Sequence, residues 1–396
     1  MTQAKPAAKK SKRIVAFDVL RGYFLLVILI NHIELYPSGF DYFTGRGRLF
    51  VSAAEGFFFM SGLLVGMVYR RRLHLGLKFI FKKMWTRAAT LYLGSVVLTL
   101  IFTVAAVHFN HGSIKQGLWY PVTDWWSVIA HDLTLSYSFG WADFLDRFAL
   151  MMAAAPFGIY LLSRGKWWLL GLISIAVWAG PGNNNPGDTL NWQIIFMFAM
   201  IIGYYWNSLT ARWRRVSSDR RRLIKRWVIA LSSISFAYSY TSVYILSVLN
   251  ERLMHLPLGW QRFTLDWNSF NGWIWQYAQK WTVGPLRIVL FGLWFWCLFM
   301  LANRYYQPIT RFTKGTVEMI GQNSLFVYVI HAFIVFIFKL FIPSQTSFGE
   351  NFAITAAALA LLVSVTKLYV HHRPKLSAHK ASLTQRLPWI PANIES

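Results

Sequence analysis

A chain of 396 residues with 56% apolar content, 20 Trp, 32 Phe and 18 Tyr is too apolar for a set of soluble domains and reads as a polytopic membrane protein. Its formal net charge of +25 has an explanation in membrane topology and attraction to anionic lipid headgroups, so no nucleic-acid partner is expected. The single cysteine, Cys297, excludes internal disulfides and cysteine metal clusters, and no metal is expected.

Apolar stretches long enough for a hydrocarbon core of about 30 Å, with aromatic residues gathered at their ends, predict ten spans. They lie at 14–34, 49–69, 85–107, 142–162, 166–180, 190–206, 227–249, 284–302, 320–342 and 352–370. The expected fold is therefore an all-α polytopic bundle of about ten transmembrane helices over 14–370, between a basic arm at 1–13 and a tail at 371–396. Thirty Lys and Arg fall in the segments on one side of these spans and six on the other, so both termini are expected in the cytoplasm. Residues 1–13 are hydrophilic, and no small-residue cleavage site follows the first span. That span reads as an uncleaved helix of a protein held in the inner, cytoplasmic membrane.

The first two spans carry ionisable and polar residues that lipid-facing helices avoid: Asp18, Arg21, Asn31 and His32, then Glu55 and Ser61. Arg21 and His32 are eleven residues apart, which sets them within about 20° of one helix face and about 16 Å apart along the axis. Asp18 is placed to pair with Arg21. The first helix runs outward and the second returns, so His32 and Glu55 are expected at the same outer level. Glu55, Gly62 and Gly66 share one face, which predicts a groove against which another group could lie.

The order FDxxRG, then NH nine residues after the glycine, then ExFFxxSG resembles membrane acyltransferases of the acyltransferase-3 superfamily, with the OpgC type closest. The Arg-x10-His motif of that superfamily falls on Arg21 and His32. A second basic motif of the family is replaced here by Lys82, Lys83 and Arg87. The resemblance implies a cytoplasmic acyl-CoA donor, carrying acetyl or succinyl, and an acceptor hydroxyl on an extracytoplasmic glycan.

Further along, the basic segment 70–87 serves as a topological anchor, and Lys82, Lys83 and Arg87 are candidates for the phosphates of acyl-CoA. Residues 108–141 read as an amphipathic segment at the outer interface. Asp143 and Arg147 pair at i, i+4 where the fourth span opens. The run PGNNNPGD at 181–188 is a turn. Residues 250–283 form a large outer connection whose Trp260, Trp267, Trp273, Trp275 and Trp281 suit either a sugar or an aromatic belt. In the ninth span GQNSLFVYVIH places His331 about 12 Å along from Asn323.

No GxSxG elbow is present, and the His371–His372 pair belongs to the tail and not to a metal site. There remains a histidine that can take a proton from a hydroxyl and return it to a leaving thiolate, which describes acyl transfer from a thioester. The expected catalytic set is His32, Glu55, Asp18 and Arg21, with Asn31, Ser61, Gly62, His331 and Asn323 toward substrate. The alternative is a proton-coupled transporter of a solute or lipid-linked sugar, in which Asp18, Arg21, His32 and Glu55 form a relay.

Overall fold

Within a bilayer each backbone polar group must be satisfied inside its own segment, which favours helices. The computed structural model describes residues 14–109, 118, 122, 124–180, 189–342 and 347–386, with side chains of the last segment described to 373. Among the described residues the regular structure is helical, without strands. The helices are α1 (Val15–Ile33), α2 (Asp41–Thr44), α3 (Ala53–Arg71), α4 (Leu77–Phe109), α5 (Trp125–Leu133), α6 (Asp143–Ser163), α7 (Trp167–Ala179) and α8 (Thr189–Tyr204). They continue as α9 (Trp206–Arg215), α10 (Ser218–Glu251), α11 (Leu258–Tyr277), α12 (Pro285–Phe312), α13 (Thr316–Gln322), α14 (Ser324–Phe341) and α15 (Phe348–Arg386). The arm at 1–13 and the turn at 181–188 lie outside the described residues.

Every expected span falls on a helix, and the chain is an all-α polytopic membrane protein. Seven helices, α1, α4, α6, α10, α12, α14 and α15, are long and apolar enough to cross a membrane. The pair α8 and α9, bent by 67°, makes an eighth. Helix α7 has only 13 residues. Helix α3 carries Glu55, Arg70 and Arg71 and is buried along most of its length, so protein and not lipid receives its polar groups.

Small residues let the central helices meet backbone to backbone. A Cβ on Gly62 would run into the carbonyl oxygen of Phe196, one on Gly66 into that of Met200, and one on Gly203 into that of Leu63. Helices α3 and α8 are thus in direct main-chain contact. This corrects the groove expected along Glu55, Gly62 and Gly66: α8 fills it, and the glycines serve packing. The same device joins α1 to α13, where a Cβ on Gly22 would strike the Val317 carbonyl and one on Gly321 the Asp18 carbonyl.

Arg70 closes the bend after α8. Its Nη1 donates to the Tyr204 carbonyl at 2.6 Å, and its guanidinium lies 4.9 Å from the Tyr204 ring centroid, capping carbonyls that a broken helix exposes. The connection at 250–283 contains the 20-residue α11, with Trp260 and Trp273 on its exposed side. Helix α15 runs on to Arg386.

Candidate active site

Helix α1 ends where Glu34 turns into the left-handed region, with φ 58°, and the last turn before it presents Asn31 and His32. Beyond it Asp41 ties a compact loop together. Its carboxylate accepts from the Ser38 amide at 2.9 Å and from Arg46 Nε at 2.8 Å, while its carbonyl accepts from Tyr244 at 2.6 Å. Arg46 is held at φ 55°, a conformation costing a non-glycine residue about 1–3 kcal/mol, between the rings of Tyr36 and Tyr244.

His331, buried on α14, meets His32. His32 Nδ1 lies 2.9 Å from His331 Nε2, and His331 Nδ1 lies 2.9 Å from the Tyr328 carbonyl. A carbonyl only accepts, so His331 carries its hydrogen on Nδ1 and offers the Nε2 lone pair. His32 then donates from Nδ1, and its Nε2 is left with a free lone pair. Tyr328 is fixed in turn by its hydroxyl, which donates to the Trp141 carbonyl at 3.0 Å.

His32 lies on the wall of a cavity of about 460 Å³. Its other walls come from the start of α3 (Ser52, Ala53, Ala54), the start of α6 (Asp143, Arg147), the start of α8 (Trp192), the end of α14 (Lys339) and the turn before α12 (Lys280, Trp281). Ends of outgoing helices and starts of returning ones meet here, as alternating helix directions require. Trp141, Trp192 and Trp281 give the cavity aromatic surface, and Arg46, Arg147, Lys280 and Lys339 give it cations. Arg147 pairs with Asp143 at 3.0 Å, and buried Lys339 pairs with Glu34 and lies 4.9 Å from the Trp141 ring centroid. Burial lowers the Lys280 pKa, opposed by the nearby Glu55 carboxylate. Four cations against the two carboxylates on the wall leave a positive field for a developing oxyanion.

The residues singled out from sequence divide between this cavity and elsewhere. Asn31 lines it, and its Oδ1 has no partner among the described residues. Glu55 does not line it: Glu55 forms a capping box with Ser52 and an ion pair with Arg287, both side chains fully buried. Ser61 bonds back to the Phe57 carbonyl at 2.9 Å, and Gly62 is buried against α8. Asp18 and Arg21 lie on α1 about 21 Å and 16 Å before His32 at ~1.5 Å per residue, and Arg21 donates to Ser324. The relay of Asp18, Arg21, His32 and Glu55 therefore does not converge. Asn323 donates to the Met319 carbonyl at 2.8 Å, at the end of α14 away from His331. Lys82, Lys83 and Arg87 stand near the start of α4, beyond the far end of α3, and away from the cavity wall.

Arg46, Lys280, Arg287, Lys339, Trp141 and Trp192 were not singled out as site residues. The signal was present: Arg46 and Lys280 are exceptions to the basic-residue asymmetry, and Arg287 and Lys339 are charges inside spans. Among the described residues no group of three His, Cys, Asp or Glu converges as metal ligands. A family model described as OpgC protein matches residues 13–373 of the chain. No curated protein matches it.

Proposed function

Because this chain belongs to the OpgC protein family and its first two helices resemble those of membrane acyltransferases, we propose that it moves an acetyl or succinyl group from cytoplasmic acyl-CoA to a hydroxyl of an extracytoplasmic glycan. In this reading the protein lies in the inner membrane with both termini in the cytoplasm, and the histidine cavity faces outward. The observation that carries the reading is His32, held by buried His331, on the wall of a cavity with aromatic and cationic surface.

The acceptor hydroxyl gives its proton to His32 Nε2 as its oxygen attacks the thioester carbonyl. The imidazolium that forms keeps Nδ1–H directed at His331. The cationic wall favours the tetrahedral oxyanion. The carbon–sulfur bond then breaks, and the thiolate takes the proton from His32 Nε2, releasing free CoA thiol and an ester. Tryptophan faces suit a sugar acceptor, and Asn31 offers an unpaired carbonyl oxygen for a hydroxyl. Lys82, Lys83 and Arg87 are proposed for the donor phosphates, since they stand at the bundle end opposite His32.

The test is reconstitution in sealed vesicles, with acyl-CoA on the face bearing the termini and glycan on the other. Release of thiol, with matching glycan ester, is expected only when both are present. Movement of glycan or solute without thiol release would instead mark a transporter.

A further inference from the structure

The thioester must reach His32 from the other side of the membrane, and the face of α3 expected to guide it is closed by α8. A second cavity, of about 320 Å³, lies between α1, α10 and α12. Its walls are mainly apolar, with Phe24, Val27, Phe291 and Phe295 among them and the hydroxyls of Thr44, Ser232 and Ser233 between, and Ser52 and Ala53 line both it and the histidine cavity. A chain lying in this groove therefore reaches the Ser52–Ala53 wall that adjoins the histidine cavity.

The groove runs along α12 from Phe291 to Leu301, ten residues or about 15 Å, roughly half of a ~30 Å hydrocarbon core. Its far end is at Tyr23 on α1, two residues past Arg21. Such walls hold no charged side chain for a phosphate, while the hydroxyls of Thr44, Ser52, Ser232 and Ser233 set in apolar surface suit a narrow chain with a few amides, such as pantetheine.

We propose that this groove carries the pantetheine-linked acyl chain of the donor from the inner side to His32. The inference rests on the acyl-CoA reading above. It makes the α1–α10–α12 face a donor subsite, whereas a bilayer lipid tail or an acceptor's lipid tail would make it an ordinary lipid crevice.

Cys297, the single cysteine of the chain, lines the groove and is partly exposed, so it reports directly on occupancy. In the purified, active protein, acetyl-CoA at about ten times its Kd should slow modification of Cys297 by N-ethylmaleimide about tenfold. Protein modified at Cys297 should lose acyl transfer. Cys297→Ser should transfer at one and the same rate before and after treatment with the reagent, and Ser233→Trp, across the groove, should raise KM for acetyl-CoA. The inference is overturned if modified protein transfers at the full rate. It is equally overturned if phospholipid protects Cys297 while acetyl-CoA does not. Absence of thiol release by unmodified protein would refute the acyl-CoA reading itself, whereas release that ignores Cys297 modification would refute only the groove.

Discussion

His32 and His331, 299 positions apart in the chain, meet with Nδ1 of the first 2.9 Å from Nε2 of the second. The Tyr328 carbonyl sets the hydrogen on His331, and His331 sets the hydrogen on His32, leaving the Nε2 lone pair of His32 free. His331 is thus a positioning residue. His331→Phe should lower kcat by about 10²-fold, at the low end of the roughly 10²- to 10⁴-fold that general-base help provides, with KM little changed. His331→Gln, whose amide oxygen can accept from Nδ1–H, should recover part of the rate. Equal losses in both variants, or a rise in KM with unchanged kcat, would contradict positioning through His32.

Glu55 and Arg287 form an ion pair with both side chains fully buried, so removing one partner strands the other. Glu55→Gln or Arg287→Met should cost about 3–5 kcal/mol of stability, and the double variant Glu55→Met with Arg287→Leu should recover most of it. Thermal unfolding in detergent measures this. A stable Glu55→Gln protein that cannot transfer acyl groups would instead return Glu55 to the reacting centre.

Gly62 meets the main chain of α8, and a carbonyl oxygen cannot move aside as a side chain can. Gly62→Leu should lose at least about 1 to 3 kcal/mol and reduce transfer from short and long acyl donors alike. Selective loss of long donors in a stable protein would reopen α3 as the donor path.

Asp132 on α5 is buried, and neither carboxylate oxygen has a partner among the described residues; burial raises its pKa to about 7. The folded carboxyl keeps its proton up to that pH, while the unfolded one loses it near ~4. Between these values the folded state binds more protons, so stability falls as pH rises through the window. Asp132→Asn should flatten the fall in unfolding temperature between about pH 4 and pH 7. Parallel curves for wild type and variant would contradict the assignment.

Much of this architecture is legible in sequence because a bilayer simplifies the problem. Span lengths, aromatic ends and the distribution of Lys and Arg locate the helices, and polar residues in an apolar helix mark His32 and Asn31. What sequence leaves open is tertiary. The eight residues from Asn323 to His331 fix a helix face, but only the packing of α14 beside α1 brings His331 to His32. Gly62 and Gly66 form a pattern that serves an open groove or a closed helix contact equally well, and the neighbour decides which. Glu55 differs again: Ser52-x-x-Glu55 is a capping box readable from sequence, and it accounts for the carboxylate locally. Arg287 and Lys339 carried the same intramembrane-charge signal as Arg21, yet their partners, Glu55 and Glu34, lie on other helices.

The central claim is that His32 Nε2 takes the acceptor proton during acyl transfer, and one comparison tests it most directly. Rates of thiol release from acyl-CoA, with glycan present, are measured for wild type and His32→Ala at equal amounts of folded protein. The variant should bind acyl-CoA normally, unfold at nearly the same temperature and transfer about 10²- to 10⁴-fold more slowly. Transfer by His32→Ala at near the wild-type rate would contradict the account.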